Sequence, residues 1–230
     1  MMELEEGWEA AAAVPEPERR PATPWEDPEL SAPAGFFRTL RELLFRPGEF
    51  FENLGREGWA EPLAFALIVS SVGLLGTLFW HLLVLAPAGL NPEDAGGLSA
   101  FLGLGPGALM ALMAASPVLA LANLGVGGLC WWGSVALVGA GREFTPAWRI
   151  FCYAQGGLAL ALIPIFGILV AGIWVLALLY CGVKQICGLS AWGSLGAVAV
   201  FLSLQAALAM TLIISLAAVV ALLGFLLLLA

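Results

Sequence analysis

The side chains able to do chemistry in this sequence are few and scattered. His81 is the sole histidine. As a proton relay it would need an acid at similar depth, and the apolar run around it holds none. Cys130, Cys152, Cys181 and Cys187 have no CxxC spacing and no histidine close by. They are expected to be small apolar filler inside helices rather than metal or redox ligands. No paired carboxylates, activated nucleophile or metal-ligand set can be assembled, so an enzyme is not expected, nor any cofactor. The polar groups left inside the apolar runs are neutral: Ser70, Ser71, Thr77, Asn123, Gln155, Gln205 and Thr211. Asn123, Gln155, Gln205 and His81 are the candidate intramembrane polar contacts. The three amides could bridge helices or line a path for a small neutral solute or lipid, and helix bridging is the simpler use.

Charge supplies the second group of candidates. Between Pro62 and Ala230 the charged residues are Glu93, Asp94, Arg142, Glu143, Arg149 and Lys184. Such sparsity, with 61% hydrophobic residues and 11% charged, does not suit a soluble globule, which must cover itself with polar groups. The formal net charge of −8 comes mostly from the N-terminus. There Glu3, Glu5, Glu6, Glu9, Glu16, Glu18, Glu26, Asp27 and Glu29 face only Arg19 and Arg20. No basic patch is present to hold nucleic acid.

The elements that must position these residues are helices in a bilayer. Residues 1–34 carry frequent prolines and acids and are expected to be a disordered acidic arm, available to a partner protein. Trp8 and Trp25 are read as incidental there, with docking anchors as the alternative. Residues 35–60 place Phe36, Phe37, Leu40, Leu43 and Leu44 on one side and Arg38, Arg41 and Glu42 on the other. After Arg46-Pro47-Gly48, Phe50, Phe51 and Leu54 repeat the pattern. These are juxtamembrane amphipathic helices suited to the headgroup boundary. Residues 61–230 hold five expected spans, about 62–86, 108–140, 146–163, 165–183 and 194–226, which makes the fold class an all-α polytopic membrane protein. Pro62 and Pro146 suit first-turn positions, while Pro164 and Gly167 make a tight turn between spans three and four. The segment 98–107 is left open as re-entrant, interfacial or part of span two. The first 33 residues lack the apolar core of a cleavable signal, so span one would itself direct insertion.

Topology follows from the basic residues. Arg38, Arg41, Arg46 and Arg56 precede span one, Arg142 and Arg149 separate spans two and three, and Lys184 separates four and five. They share a side if 98–140 crosses once, which puts the N-terminus in the cytoplasm, the C-terminus opposite, and Glu93 and Asp94 on the far side. Arg38, Arg41, Arg46, Arg142, Arg149 and Lys184 then form a candidate face for anionic headgroups or an acidic partner. Small residues at close helical spacing (Ser70, Gly73 and Thr77; Gly125 and Gly128; Gly193 and Ala197) allow close helix approach within one chain or between copies, leaving a homo-oligomer open.

Several short runs resemble a known family. Phe144-Thr145-Pro146, Arg149-Ile150-Phe151-Cys152-Tyr153-Ala154, Ile163-Pro164-Ile165-Phe166-Gly167 and Ile173-Trp174-Val175-Leu176 occur in order, followed by Cys181-Gly182-Val183 and Gly188-Leu189-Ser190. Upstream stands Leu43-Leu44-Phe45-Arg46-Pro47-Gly48-Glu49-Phe50-Phe51-Glu52-Asn53-Leu54, then Pro62-Leu63. Together they resemble the YIP family of Rab/Ypt-GTPase-interacting integral membrane proteins, and its bacterial branch in particular, over about residues 36–220. The resemblance implies five spans, a cytoplasmic N-terminus and a non-enzymatic role in organising membrane lipid or partner proteins, related to membrane trafficking. The bacterial branch implies residence in the inner membrane. The Asp-Leu-Tyr-Gly-Pro motif of eukaryotic members is missing, so GTPase binding does not carry over.

Overall fold

The computed structural model describes residues 23–85, 106–164 and 166–229. Residues 1–22, the loop bearing Glu93 and Asp94, and the segment 98–105 lie outside them. Among the described residues every regular element is helical.

Helix α1 (Ala32–Phe45) buries Gly35, Thr39 and Leu43, a stripe at i, i+4 and i+8. It ends where a proline forces it to. Arg46, before Pro47, is driven out of the helical region to φ −140°, and Pro47 opens α2 (Pro47–Glu52) at its first position. Phe50 and Phe51 of α2 turn inward, and Leu54 follows them. A short connection leads to α3 (Ala60–Leu85).

The expected second span resolves into two helices, α4 (Pro106–Ala114) and α5 (Ser116–Leu137), jointed at Ala115. Pro117, in the first turn of α5, has no amide proton to continue a ladder from α4. The turn after α5 uses Gly139 and Gly141 at φ 77° and 118°, where a side chain would be strained.

The expected third span begins as α6 (Phe144–Ala154, 11 residues) and continues as a 3-10 segment (Gln155–Leu162, 8 residues). The winding changes at Gly156-Gly157, where neighbours crowd the backbone. A Cβ on Gly156 would meet Leu43 Cδ1 at 2.7 Å, and one on Gly157 would meet the Val175 amide nitrogen at 2.9 Å. Helix α7 (Gly167–Cys187) extends past the expected end at 183 and stops at left-handed Gly188, φ 64°. Helix α8 (Ala191–Leu229) is a single 39-residue run, roughly 58 Å long at 1.5 Å per residue. Ser190 caps it, its Oγ accepting from the Gly193 amide at 3.1 Å.

Three hydrogen bonds set the directions. The Trp148 indole donates to the Trp59 carbonyl at 3.3 Å, and the Trp80 indole donates to the Leu162 carbonyl at 3.0 Å. Residues 148–162 therefore run alongside α3 in the same direction. Arg56 Nη2 donates to the Ile186 carbonyl at 3.1 Å, so the C-terminus of α7 returns to the end where α3 begins. That end also carries the α5–α6 turn with Arg142, and is called the polar end below. Phe65, Leu124, Trp131, Ile150, Phe151, Leu178 and Phe201 form the core between the helices.

Among the described residues four helices are long and apolar enough to cross a membrane: Ala60–Leu83, Ser116–Leu137, Gly167–Cys187 and Ala191–Ser215. Their outward side chains are apolar, with Leu137, Ile173 and Leu195 more than half exposed. In water such surfaces would aggregate, whereas in lipid they are already satisfied.

Candidate functional site

Helix α6 places Arg149 and Tyr153 four residues apart, hence on one face. That face lies under a segment expected to be disordered. Residues 23–31 instead form successive turns, with the Glu26 amide on the Thr23 carbonyl at 2.9 Å and the Leu30 amide on the Asp27 carbonyl at 3.2 Å. The Asp27 carboxylate accepts from the Glu29 amide at 2.9 Å, a local turn bond typical of aspartate. Trp25 anchors the segment: its ring lies 6.1 Å from both Phe36 and Phe65, and its indole donates to the Glu61 carbonyl at 2.8 Å. The expectation of a disordered arm through residue 34 thus fails for 23–34, because Trp25 gains an aromatic pocket and Glu26 a buried counter-ion.

Arg149 has only 1% of its side chain exposed. A guanidinium so buried must be paired, since an isolated ion costs several kcal/mol to desolvate. Its Nη2 donates to both Glu26 carboxylate oxygens, at 2.7 and 2.9 Å. Its Nη1 donates to the main-chain carbonyls of Glu57 and Gly58, the latter at 3.1 Å. Tyr153 donates its phenolic proton to Glu26 Oε1 at 2.7 Å, so the Thr23 hydroxyl, 3.0 Å from Tyr153 Oη, is the donor in that contact. The guanidinium also lies 5.9 Å from the Tyr153 ring centroid.

The arrangement ties together three stretches distant in sequence: the N-terminal turns, the α2–α3 connection and α6. The Arg149 Nη1 and Nη2 groups and the Tyr153 hydroxyl each meet an acceptor, while the buried Arg149 Nε has no partner among the described residues. Among the described residues no three metal-ligating side chains converge.

The residues singled out from sequence are distributed differently. Arg149 is withdrawn from the charged face by burial, while Arg38, Arg41, Arg46, Arg142 and Lys184 are exposed. Arg46 pairs with Glu49 at 3.5 Å across one turn, an exposed contact of small worth. His81 uses Nδ1 on the Thr77 carbonyl at 2.8 Å, within its own helix. Gln155 is buried, and its amide donates to the Phe151 carbonyl at 3.3 Å. Asn123 is exposed on α5. Gln205 is half-buried against Gly127, 3.4 Å from where a Cβ would stand. The three amides therefore do not meet. Of the small-residue pairs, Gly73 abuts the Leu158 carbonyl and Gly128 abuts the Trp148 ring, but Gly125 faces open space. Thr23, Glu26 and Tyr153 did not emerge from sequence as site residues. Glu26 is one acid in an acidic run, and its partner lies 123 residues away.

Comparison with protein families decides the relationship. The Yip1 domain matches residues 41–214, from α1 into α8. The chain belongs to the Yip1 family. Comparison with curated proteins gives no significant match, and comparison with solved structures gives none either. The apolar helices of the Yip1 domain make this an integral membrane protein. Arg149 and Tyr153 lie inside the matched domain, whereas Thr23, Trp25 and Glu26 precede it. The ionic tie therefore fastens a segment outside the Yip1 domain to a buried cation inside it.

Proposed function

We propose that this Yip1-family protein is a non-enzymatic, five-span scaffold of a bacterial inner membrane that organises lipid or partner proteins on a fixed cytoplasmic platform. The observation that carries this reading is the Glu26–Arg149 tie. It holds the N-terminal turns against α6 and, through Glu57 and Gly58, the connection that follows α1 and α2. The exposed Arg38 and Arg41 are thereby presented from a braced surface instead of a loose tail.

Two features support a fifth crossing by residues 144–162. Eleven α-helical residues at 1.5 Å and eight 3-10 residues at 2.0 Å reach about 32 Å, enough for a hydrocarbon core of ~30 Å. The same stretch is bonded to α3 near both ends. Aromatic residues support the placement as well: Trp59 and Trp192 are 62% and 82% exposed at the polar end, where interfacial indoles belong. Phe37 and Phe45, 66% and 77% exposed beside arginines, would dip into the headgroup boundary. The basic residues gathered at this end support a cytoplasmic orientation for it, by the bias of Lys and Arg toward the inner side.

Cysteines introduced singly by Ser31→Cys, Ser190→Cys and Pro164→Cys, in a background without the native four, test the topology. The first two should react from the cytoplasmic side and the third from the opposite side. Labelling of all three from one side would remove the fifth crossing. A photo-crosslinker at Arg41 should capture a defined protein or lipid in native membranes, and recovery of random neighbours alone would sink the scaffold reading.

A further inference from the structure

We infer that the polar end carries a binding site for the phosphate of one anionic phospholipid, formed by Arg56 and Arg142. The inference deepens the scaffold reading and rests on it for the depth of this end in the bilayer. The site is a cavity of about 270 Å³ between the α5–α6 turn, the start of α6 and the C-terminus of α7. Its floor is apolar, formed by Val135, Ala140, Pro146 and Ile186, and its rim carries both arginines.

Among the described residues neither arginine pairs with an acid. Arg56 gives Nη2 to the Ile186 carbonyl, which orients it without neutralising it. The Arg142 side chain has no hydrogen-bond partner or ion pair among the described residues, and its backbone carbonyl is held by the Trp132 indole at 3.1 Å. This differs from Arg149, whose charge is met by Glu26. Glu143 also borders the cavity, leaving two cations against one anion.

A lipid fits this geometry better than a free anion does. A phosphate would meet the guanidinium rim, while the glyceryl portion would cover the apolar floor, which a soluble phosphate leaves wet. The placement at the membrane boundary matches where basic pockets between transmembrane helices collect headgroups.

Native mass spectrometry of the full chain, released from nanodiscs of phosphatidylglycerol and phosphatidylcholine, tests the site. One phosphatidylglycerol should be retained in preference to phosphatidylcholine. Arg142→Gln should weaken retention about fivefold, and Arg56→Gln by a similar factor, at the usual worth of one basic residue near anionic lipid. Glu143→Gln, which removes the acid that borders the cavity, should strengthen retention. Because Arg56 also holds Ile186, Arg56→Lys serves beside it, retaining charge and most of the binding. Equal retention of both lipids, or indifference to Arg142→Gln in a folded protein, overturns the site. Displacement of the lipid by inorganic phosphate would overturn the lipid assignment in favour of a free anion. The cysteine labelling reports separately on topology, so failure of the lipid site is distinguishable from failure of the five-span scaffold.

Discussion

Removing the Glu26 carboxylate should cost this protein far more than the loss of an exposed ion pair. In Glu26→Ala the Arg149 guanidinium stays buried at 1% exposure, facing only the carbonyls of Glu57 and Gly58. Tyr153 loses its acceptor in the same step. Orphaning one member of a buried pair costs about 3–5 kcal/mol, against roughly 0–1 kcal/mol for a surface pair. Glu26 itself is 16% exposed, so water can reach part of the vacated space, and the lower figure of about 3 kcal/mol applies. Arg149→Leu removes the buried charge instead. It loses two hydrogen bonds to carbonyls, each worth about 1 kcal/mol, and frees Glu26 to turn to solvent.

The double variant Glu26→Ala/Arg149→Leu then distinguishes an ionic tie from packing. It should be less destabilised than the sum of the single variants by about 2 kcal/mol or more, since no charge is left uncompensated. Thermal unfolding in detergent, followed by tryptophan fluorescence, gives the ranking. Hydrogen exchange of residues 23–31 gives the location, because those amides should lose protection in Glu26→Ala while the core of α5 keeps it. A cost below about 1 kcal/mol for Glu26→Ala, or full additivity in the double variant, would refute the tie as the fastening of the N-terminal segment.

Two further outcomes follow from individual contacts. Gly125 and Gly128 look alike in sequence, yet a Cβ on Gly128 would stand 2.4 Å from the Trp148 ring while one on Gly125 meets nothing within 4 Å. Gly128→Ala should therefore destabilise by about 1–3 kcal/mol through overpacking, whereas Gly125→Ala should be neutral or gain up to about 1 kcal/mol from helix propensity; equal melting temperatures would refute the packing. Burial raises the Glu42 carboxyl above its ordinary 4.5, with Arg38 and Arg46 opposing the shift. A raised folded value means that its contribution is full below the unfolded value and fades as pH climbs through the folded one. Glu42→Gln should therefore flatten the stability profile just above pH 4.5, and an unchanged profile in urea titrations would refute the burial argument.

The parts legible in the sequence are those whose physics is local. Long apolar runs mark α3, α5, α7 and α8 because a chain crossing lipid must bond its own backbone and present apolar side chains everywhere. Pro47 and Pro164 mark breaks because their backbone constraints act on adjacent residues whatever else surrounds them, whereas the end of α7 at Gly188 lies beyond the expected 183. The 3-10 segment was hidden because the crowding at Gly156 and Gly157 comes from Leu43 and Val175, on elements docked from elsewhere. The charged face was misjudged in one member for the same reason. Arg149 reads like Arg142 in a window of ten residues, and only the approach of Glu26 from the N-terminus makes one a buried brace and leaves the other free. The acidic, proline-rich composition of residues 1–34 led to an expectation of disorder that fails for 23–34, because an average over composition cannot single out the acid that has a buried cation to meet. Since Glu26 precedes the matched Yip1 domain and Arg149 lies within it, the family pattern alone could not have shown the pair either. The domain supplies the buried cation, and this chain's own N-terminal segment supplies its anion. It follows that truncation to the domain boundary at Arg41 should strand Arg149 much as Glu26→Ala does, and the isolated domain should be less stable than the full chain by at least as much.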